Sequence, residues 1–284
     1  MNMIPILDTH QHLIYPSELN YPWCQDEPAL KDRSFTLEKY QSLTAEFGVT
    51  RSLFMEATGA AEQIAEEAGF FTQLAEKDDN ILTGVIASCR PEYDDFDAQL
   101  ERIVSQKVVG MRRILHVEPD ELSQSANFRK NIASLADHQL SFDICMLQRQ
   151  HDLAYELVKS CPDTTFILDH CGNPVLQNDA FASWKSGMQK LATLPNLNLK
   201  ISGIVVNTVG DQVPDLELLR PWLESCVDVF GFDRLVFGSD WPVCNITTTL
   251  PAWLGIARSF FGQFSEHEQT ALWHKNAERI YLQR

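Results

Sequence analysis

The sequence predicts an α/β fold: a single (β/α)8 barrel of the TIM type over residues 1–284, with its active site at the C-terminal ends of the strands. Three observations carry this expectation. Eight short β-branched, apolar runs recur, separated by longer amphipathic stretches, and strands that alternate with helices pair in parallel through βαβ units. Eight such units suit a chain of 284 residues. No G-x-G-x-x-G occurs, whereas a doubly wound open sheet usually carries a glycine-rich first turn.

The apolar runs are residues 6–13, 50–55, 81–87, 108–115, 141–146, 165–168, 198–202 and 234–237. Helical spacing is read over residues 60–77, 96–106, 126–137, 153–160, 181–194 and 216–230. Pro221 lies inside the last of these and is expected to kink it or to mark its first turn. A capping box, Ser265-x-x-Glu268, opens a closing helix that runs to Tyr281. No linker, low-complexity tract or repeat beyond the βα period interrupts the chain, so one domain is expected. Two connections are long, residues 14–33 and 204–214. Both follow a strand, on the face where barrel enzymes build their sites. The first carries Tyr15, Tyr21, Pro22 and Trp23, and its aromatics predict an ordered lid.

Composition excludes several classes. With 23 basic and 39 acidic side chains the formal charge is −16, which opposes binding of nucleic acid or anionic membrane through the general surface field. Hydrophobic residues at 44% and charged residues at 22% are ordinary for a soluble globular chain. No apolar run approaches the roughly 18 residues of a membrane helix. The first residues lack the basic-then-apolar pattern of a signal peptide. The seven cysteines are scattered, with no Cys-x-x-Cys pair, so reduced thiols and a cytoplasmic location are expected, and a zinc knot is not. Oligomeric state stays open.

Polar residues at the strand ends mark the candidate site. Period-two alternation puts Asp8, His10 and His12 on one face of the first strand. Two imidazoles facing a barrel interior are costly unless paired, hydrogen-bonded or ligated. His170 ends the sixth run and Asp240 the eighth, each just before a Gly or Pro that breaks the strand. In a closed barrel His10, His12, His170 and Asp240 converge on one cavity. Arg112 and Arg113 end the fourth run; only one can face inward, where it would bind a carboxylate or polarise a carbonyl. His116 is a weaker candidate and His151 a loop candidate. Cys171 and Cys244 neighbour the site as buried thiols, and no setting for a Ser- or Cys-centred triad is present.

These motifs resemble a known group. Asp8-Thr-His-Gln-His, Leu168-Asp-His-Cys-Gly-Asn-Pro, Lys200-Ile-Ser-Gly, Gly238-Ser-Asp-Trp-Pro-Val-Cys and Asn276-Ala-Glu-Arg-Ile-Tyr are similar, in order, to the amidohydrolase superfamily. The branch is the amidohydrolase-2 type that includes sugar lactonases and pyrone-dicarboxylate lactonase. Ser-Asp-Trp-Pro-Val-Cys together with Tyr21-Pro22-Trp23 is most similar to the fuconolactonase and rhamnonolactonase group. The resemblance implies hydrolysis of a small-molecule lactone, with His10, His12, His170 and Asp240 at the family's functional positions.

On that reading Asp240 is the general base for water, and His10, His12, His170 with Arg112 or Arg113 polarise the carbonyl. Tyr21 and Trp23 would cover the sugar face, and Trp241 would do likewise. The fifth run ends Asp143-Ile-Cys-Met-Leu-Gln with no histidine, and the fourth offers arginine rather than lysine. That departure opposes a binuclear metal centre. Catalysis without a cofactor is therefore expected, with one divalent zinc or manganese on His10, His12 and Asp240 as the alternative. The rival activity is a metal-dependent decarboxylase or C–C hydrolase of the same superfamily. A non-catalytic sugar-acid sensor is the third reading.

Overall fold

In the computed structural model, which describes residues 3–58, 60–78, 80–210 and 212–283, eight strands form one parallel sheet in sequence order. They are β1 (Ile6–Gln11), β2 (Val49–Met55), β3 (Leu82–Ser88), β4 (Val108–Ile114), β5 (Ser141–Cys145), β6 (Phe166–Leu168), β7 (Leu197–Ile201) and β8 (Leu235–Phe237). Each predicted run holds its strand to within two residues. Met1, Asn2 and Asp211, which entered the readings of the first residues and the second long loop, lie outside the described residues.

The sheet closes along a seam between β1 and the chain just past β8. The Asp240 N–H donates to His10 O at 2.7 Å, the His12 N–H donates to Trp241 O at 2.6 Å, and Gln11 bridges Trp241 in parallel. Leu7, Leu53, Met55, Ile86, Val109, Ile167 and Val236 fill the interior with Ala277 and Tyr281 of the C-terminal segment. That segment closes the N-terminal end of the barrel. Asn276 donates to the carbonyls of Phe232 and Leu235 where β8 begins, and Arg51 on β2 pairs with Glu278.

An outer ring covers the sheet: α1 (Leu37–Thr44), α2 (Ile64–Ala75), α3 (Phe96–Ile103), α4 (Ala126–Ser134), α5 (His151–Ser160), α6 (Asn178–Leu191), α7 (Leu216–Phe230) and α8 (Leu250–Phe261). The sequence reading passed over α1 and α8. Their caps were visible, since Thr36 accepts from the Lys39 N–H and Thr249 from the Ala252 N–H. α7 starts at Leu216 under an Asp215 cap, so Pro221 lies inside the helix and not in its first turn. Its missing N–H leaves the Glu217 carbonyl without an intrahelical partner. The Ser265/Glu268 capping box opens α9 (Glu266–Thr270), which continues in wider π-helical turns at Ala271–Lys275 and Glu278–Leu282.

The first long connection is ordered. Ile14 pairs antiparallel with Phe35, Pro22–Asp26 forms a 3₁₀ turn, and Leu19, Tyr21, Cys24 and Leu30 are buried beneath it. Among the described residues no helix is long and apolar enough to cross a membrane. All seven cysteines are unpaired and buried.

Candidate active site

The closing seam builds the site. β1 shifts register against β2 between Asp8 and Gln11, so the period-two expectation fails there. The Asp8 carboxylate turns to the Tyr40 hydroxyl on α1 and to the backbone N–H groups of His10 and Ser239. His10, inside the shift, and His12, beyond it, point their imidazoles together. The seam bonds then carry Asp240 beside both. Asp240 and His170 sit in left-handed backbone at φ 57° each, a conformation that costs of order 1–3 kcal/mol and persists only where the surroundings enforce it.

Two glycines make room for this packing. A Cβ on Gly238 would lie 2.5 Å from His10 Cβ. One on Gly203, itself at φ 56°, would lie 2.2 Å from His170 Nδ1 and 3.0 Å from Asp240 Oδ2.

His10, His12, His170 and Asp240 do converge. His10 Nε2 lies 3.2 Å from His12 Nε2, and Asp240 Oδ1 lies 3.5 Å from each. His170 Nδ1 lies 3.9 Å from Asp240 Oδ2 and 3.0 Å from Ser202 Oγ. Burial lowers the pKa of His170, although Asp240 and Asp169 oppose it, and burial holds His10 well below the usual imidazole range. Both imidazoles are therefore neutral near pH 7.

Beneath them lies a layer of buried ions. Arg112 faces inward and spends its donors on the protein: Nε on Glu56 Oε1 at 2.9 Å, Nη2 on Glu56 O at 3.1 Å, and Nη1 towards His10 Nε2 at 3.3 Å and Asp169 at 3.5 Å. Burial opposes its charge, but Glu56 and Asp169 outweigh burial and raise its pKa. Lys200, fully buried on β7, pairs with Asp143 and with Asp169 Oδ1 at 3.0 Å. Burial works against ionised Asp169, yet Lys200 and His10 hold it well below the usual carboxylate range. Tyr281 donates to Asp143 at 3.0 Å.

Sequence reasoning assigned no role to Glu56, Asp143, Asp169 or Lys200. Lys200 did leave a signal, a lone cation in the apolar run Leu-Asn-Leu-Lys-Ile. Such a charge is tolerated inside only when paired.

The other candidates are placed as follows. Arg113 turns away from the cavity to Glu92 at 2.8 Å and Glu118 at 3.0 Å, tying two loops together. Trp23 is half-buried, donates to Ala57 O at 2.6 Å, and stands edge-on to His12 with ring centroids 6.5 Å apart, as a lid residue would. Tyr21 is buried beneath that loop, its hydroxyl accepting from the Tyr15 N–H at 3.4 Å, so it supports the lid from below.

Trp241 is fully buried against Phe35 and Tyr40, outside the cavity. His116 is half-buried with Nδ1 3.2 Å from Cys145 Sγ, and burial brings its pKa down to about 4. His151 is spent on Gly172 O at 2.8 Å. Cys171 and Cys244 are buried.

The cluster also fits a divalent cation. The His12 Nδ1 lies 3.1 Å and 3.0 Å from the carbonyls of Met55 and Glu56 and must carry the proton to meet them. That leaves a lone pair on Nε2. The His10 Nδ1 lies 3.4 Å from the Asp169 carboxylate, which asks the same of it. Two imidazole lone pairs and a carboxylate oxygen then face one another at 3.2 to 3.5 Å. Tetrahedral ligands about 2.1 Å from a zinc ion stand about 3.4 Å apart. His10, His12 and Asp240 could hold one ion, and His10 also belongs to a second group with Asp169 and His170.

Known proteins are similar to this chain over nearly its whole length. The family profile described as Amidohydrolase matches residues 7–282. The chain is 26% identical to an L-fucono-1,5-lactonase of Burkholderia multivorans, over 97% of this chain and 95% of that protein. It is 24% identical to an L-rhamnono-gamma-lactonase of Scheffersomyces stipitis, over 61% of this chain and 59% of that protein. Its fold superposes on a crystal structure of an amidohydrolase from Burkholderia multivorans with bound zinc. The TM-score is 0.88 and the identity 25%, over 99% of this chain and 100% of that one.

Proposed function

The chain belongs to the amidohydrolase family and is a hydrolase, and from that premise we propose that it opens a sugar-acid lactone by water attack on the ring carbonyl. The observation that carries the reading is the joining of one carboxylate, Asp240, to three imidazoles on a single seam. The similarity to sugar lactonases narrows the ester to a lactone.

Asp240 takes a proton from water as its oxygen bonds to the carbonyl carbon. When the tetrahedral adduct collapses, the bond to the ring oxygen breaks and Asp240 returns the proton to that oxygen. One carboxylate on one side of the ring serves both transfers. Ser202 Oγ accepts the His170 backbone N–H at 3.2 Å and directs its own proton to His170 Nδ1 at 3.0 Å. The His170 Nε2 then carries the ring proton and donates to the oxyanion. Trp23 covers the site and limits water to the one that reacts. Arg112 acts through Asp169 and His10 rather than by touching substrate. A divalent cation, zinc or manganese, held by His10, His12 and Asp240 would supply carbonyl polarisation and a more acidic water.

The test is a panel of aldonolactones read with a pH indicator, with and without chelation, on protein of measured metal content. Turnover of at least one lactone is expected, with a loss of about 100-fold or more in Asp240→Asn. No hydrolysis across the panel, or full activity in Asp240→Asn, refutes the reading. Release of CO₂ from an aromatic acid by zinc-loaded protein would favour the decarboxylase instead.

A further inference from the structure

A chain of buried polar groups runs from the closed end of the barrel to the candidate site. Tyr281, on the C-terminal segment, donates to Asp143 on β5. Asp143 pairs with Lys200 on β7, which reaches Asp169 Oδ1 at 3.0 Å. The same Asp169 oxygen lies 3.4 Å from His10 Nδ1, and Asp169 Oδ2 lies 3.5 Å from Arg112 Nη1. Every side chain in this line is fully or almost fully buried.

An ammonium in a barrel interior is expensive, and an apolar side chain there would pack at lower cost. Its geometry shows what it does. Lys200 approaches Asp169 on the oxygen that faces His10, while Arg112 holds the other. Held on both oxygens, the carboxylate cannot rotate. Arg112 Nη1, which can only donate, lies 3.3 Å from His10 Nε2, so that nitrogen keeps its lone pair and the ring proton sits on Nδ1, facing Asp169. Lys200 Nζ lies 3.4 Å from His10 Nδ1; both are donors, and Asp169 Oδ1, 3.0 Å from the first and 3.4 Å from the second, stands as the acceptor they share.

We propose that Lys200 is a positioning residue that sets the tautomer and orientation of His10 through Asp169, with Asp143 and Tyr281 fixing the ammonium from below. The catalytic consequence rests on the hydrolase reading above, and the tautomer does not.

The experiment must separate this role from simple charge neutralisation, because Lys200→Met alone strands Asp143, leaves Asp169 to Arg112, and can fail to fold. The double variant Lys200→Met/Asp143→Asn removes one charge of each sign. The amide oxygen it places on β5 can still accept from the Tyr281 hydroxyl. If Lys200 only balances charge, the double variant regains both stability and turnover. If Lys200 positions His10, it regains stability alone.

Turnover should then fall about 10- to 100-fold at nearly constant KM, the range seen when the outer partner of a metal-ligating histidine is lost. Lys200→Arg should recover part of it. Histidine-selective ¹⁵N spectra of metal-free wild type should show His10 protonated at Nδ1, and the double variant should lose that signature. A turnover within about fivefold of wild type, or an unchanged His10 signature, overturns the proposal. An inactive wild type would refute the lactonase reading, while the ¹⁵N spectra still decide the role of Lys200.

Discussion

Gly203→Ala tests the packing that holds His170. Two costs are separable. Gly203 sits at φ 56°, and a left-handed backbone costs a residue with a Cβ about 1–2 kcal/mol. The new Cβ would also lie 2.2 Å from His170 Nδ1 and 2.6 Å from its Cγ, so the ring must retreat by about 1.2 Å to reach the 3.4 Å of ordinary contact. Overpacking of this kind costs about 1–3 kcal/mol. Together they destabilise by about 2–5 kcal/mol, or a Tm drop of about 3–8 °C for a chain of this size.

Displacing a reacting group by about 1 Å can cost about 100-fold in rate, so kcat should fall by that order even where the variant is folded. Gly210→Ala is the internal control: its φ is 65°, and nothing lies within 4 Å of the added carbon. It should show the backbone cost alone, about 1–2 kcal/mol, with turnover intact. Thermal unfolding and lactone turnover on both variants complete the assay. If Gly203→Ala loses no more stability than Gly210→Ala and turns over at the wild-type rate, the close approach of His170 to β7 does not shape the site.

Three further outcomes follow from the geometry. Arg112→Met strands Glu56, leaves Asp169 to Lys200 alone and should cost about 3–5 kcal/mol, whereas Arg113→Met releases the more exposed Glu92 and Glu118 and should cost less; urea unfolding in the reverse order would contradict the assignment of the inward arginine. Glu67 is buried, and burial followed by the charge of Glu56 raises its pKa to about 8, while an unfolded chain ionises near 4.5. Between those values the folded state keeps a proton the unfolded chain releases, so stability falls as pH rises through that window. Glu67→Gln keeps an oxygen for the Ala57 and Thr58 N–H groups and cannot ionise, so its Tm advantage should grow from pH 5 to pH 8; a flat difference would show that Glu67 is ionised throughout. Trp23→Phe deletes the bond to Ala57 O, worth about 0.5–1.5 kcal/mol, and should raise KM a few-fold with kcat little changed; a fall in kcat at constant KM would place Trp23 in the chemistry rather than in the lid.

The strands were legible because each is a β-branched run broken by polar residues, and the site was legible where polar residues interrupted those runs. His10, His12, His170 and Asp240 stood out for that reason. What alternation could not supply is the register shift after Asp8, which comes from pairing across the sheet and the seam, not from β1 itself. Counting alternate residues put Asp8 with the histidines, and the fold gives it to Tyr40. The ion layer was hidden differently. Glu56, Asp143, Asp169 and Lys200 lie on four strands or strand ends, and no local pattern says that they meet. Arg112 and Arg113 show the limit from the other side: parity said that one must face inward, and only the position of Glu56 decides which.

That ion layer also bears on what can enter the site. Glu56, Asp143, Asp169 and Asp240 are four carboxylates, and Arg112 and Lys200 are the two cations paired with them, so the cluster is two charges short of balance when all are ionised. Asp143 relieves this only as the pH falls to about 6, where burial first and Asp169 with it have raised its pKa against the opposing pull of Lys200. The remaining excess lies at the His10, His12 and Asp240 end, where three ligand atoms already have the spacing a divalent cation wants. A cation there is attracted by the same field that repels an anionic substrate, and an uncharged lactone is indifferent to it. On the proposed hydrolysis, ring opening creates a carboxylate beside Asp240, and without a cation the two-charge excess opposes its retention; a bound divalent cation cancels that excess. For the proposed reaction the cation-free arrangement would thus favour one direction of passage, a neutral ester in and an anion out, and the chain's −16 formal charge would extend that bias to the molecular surface.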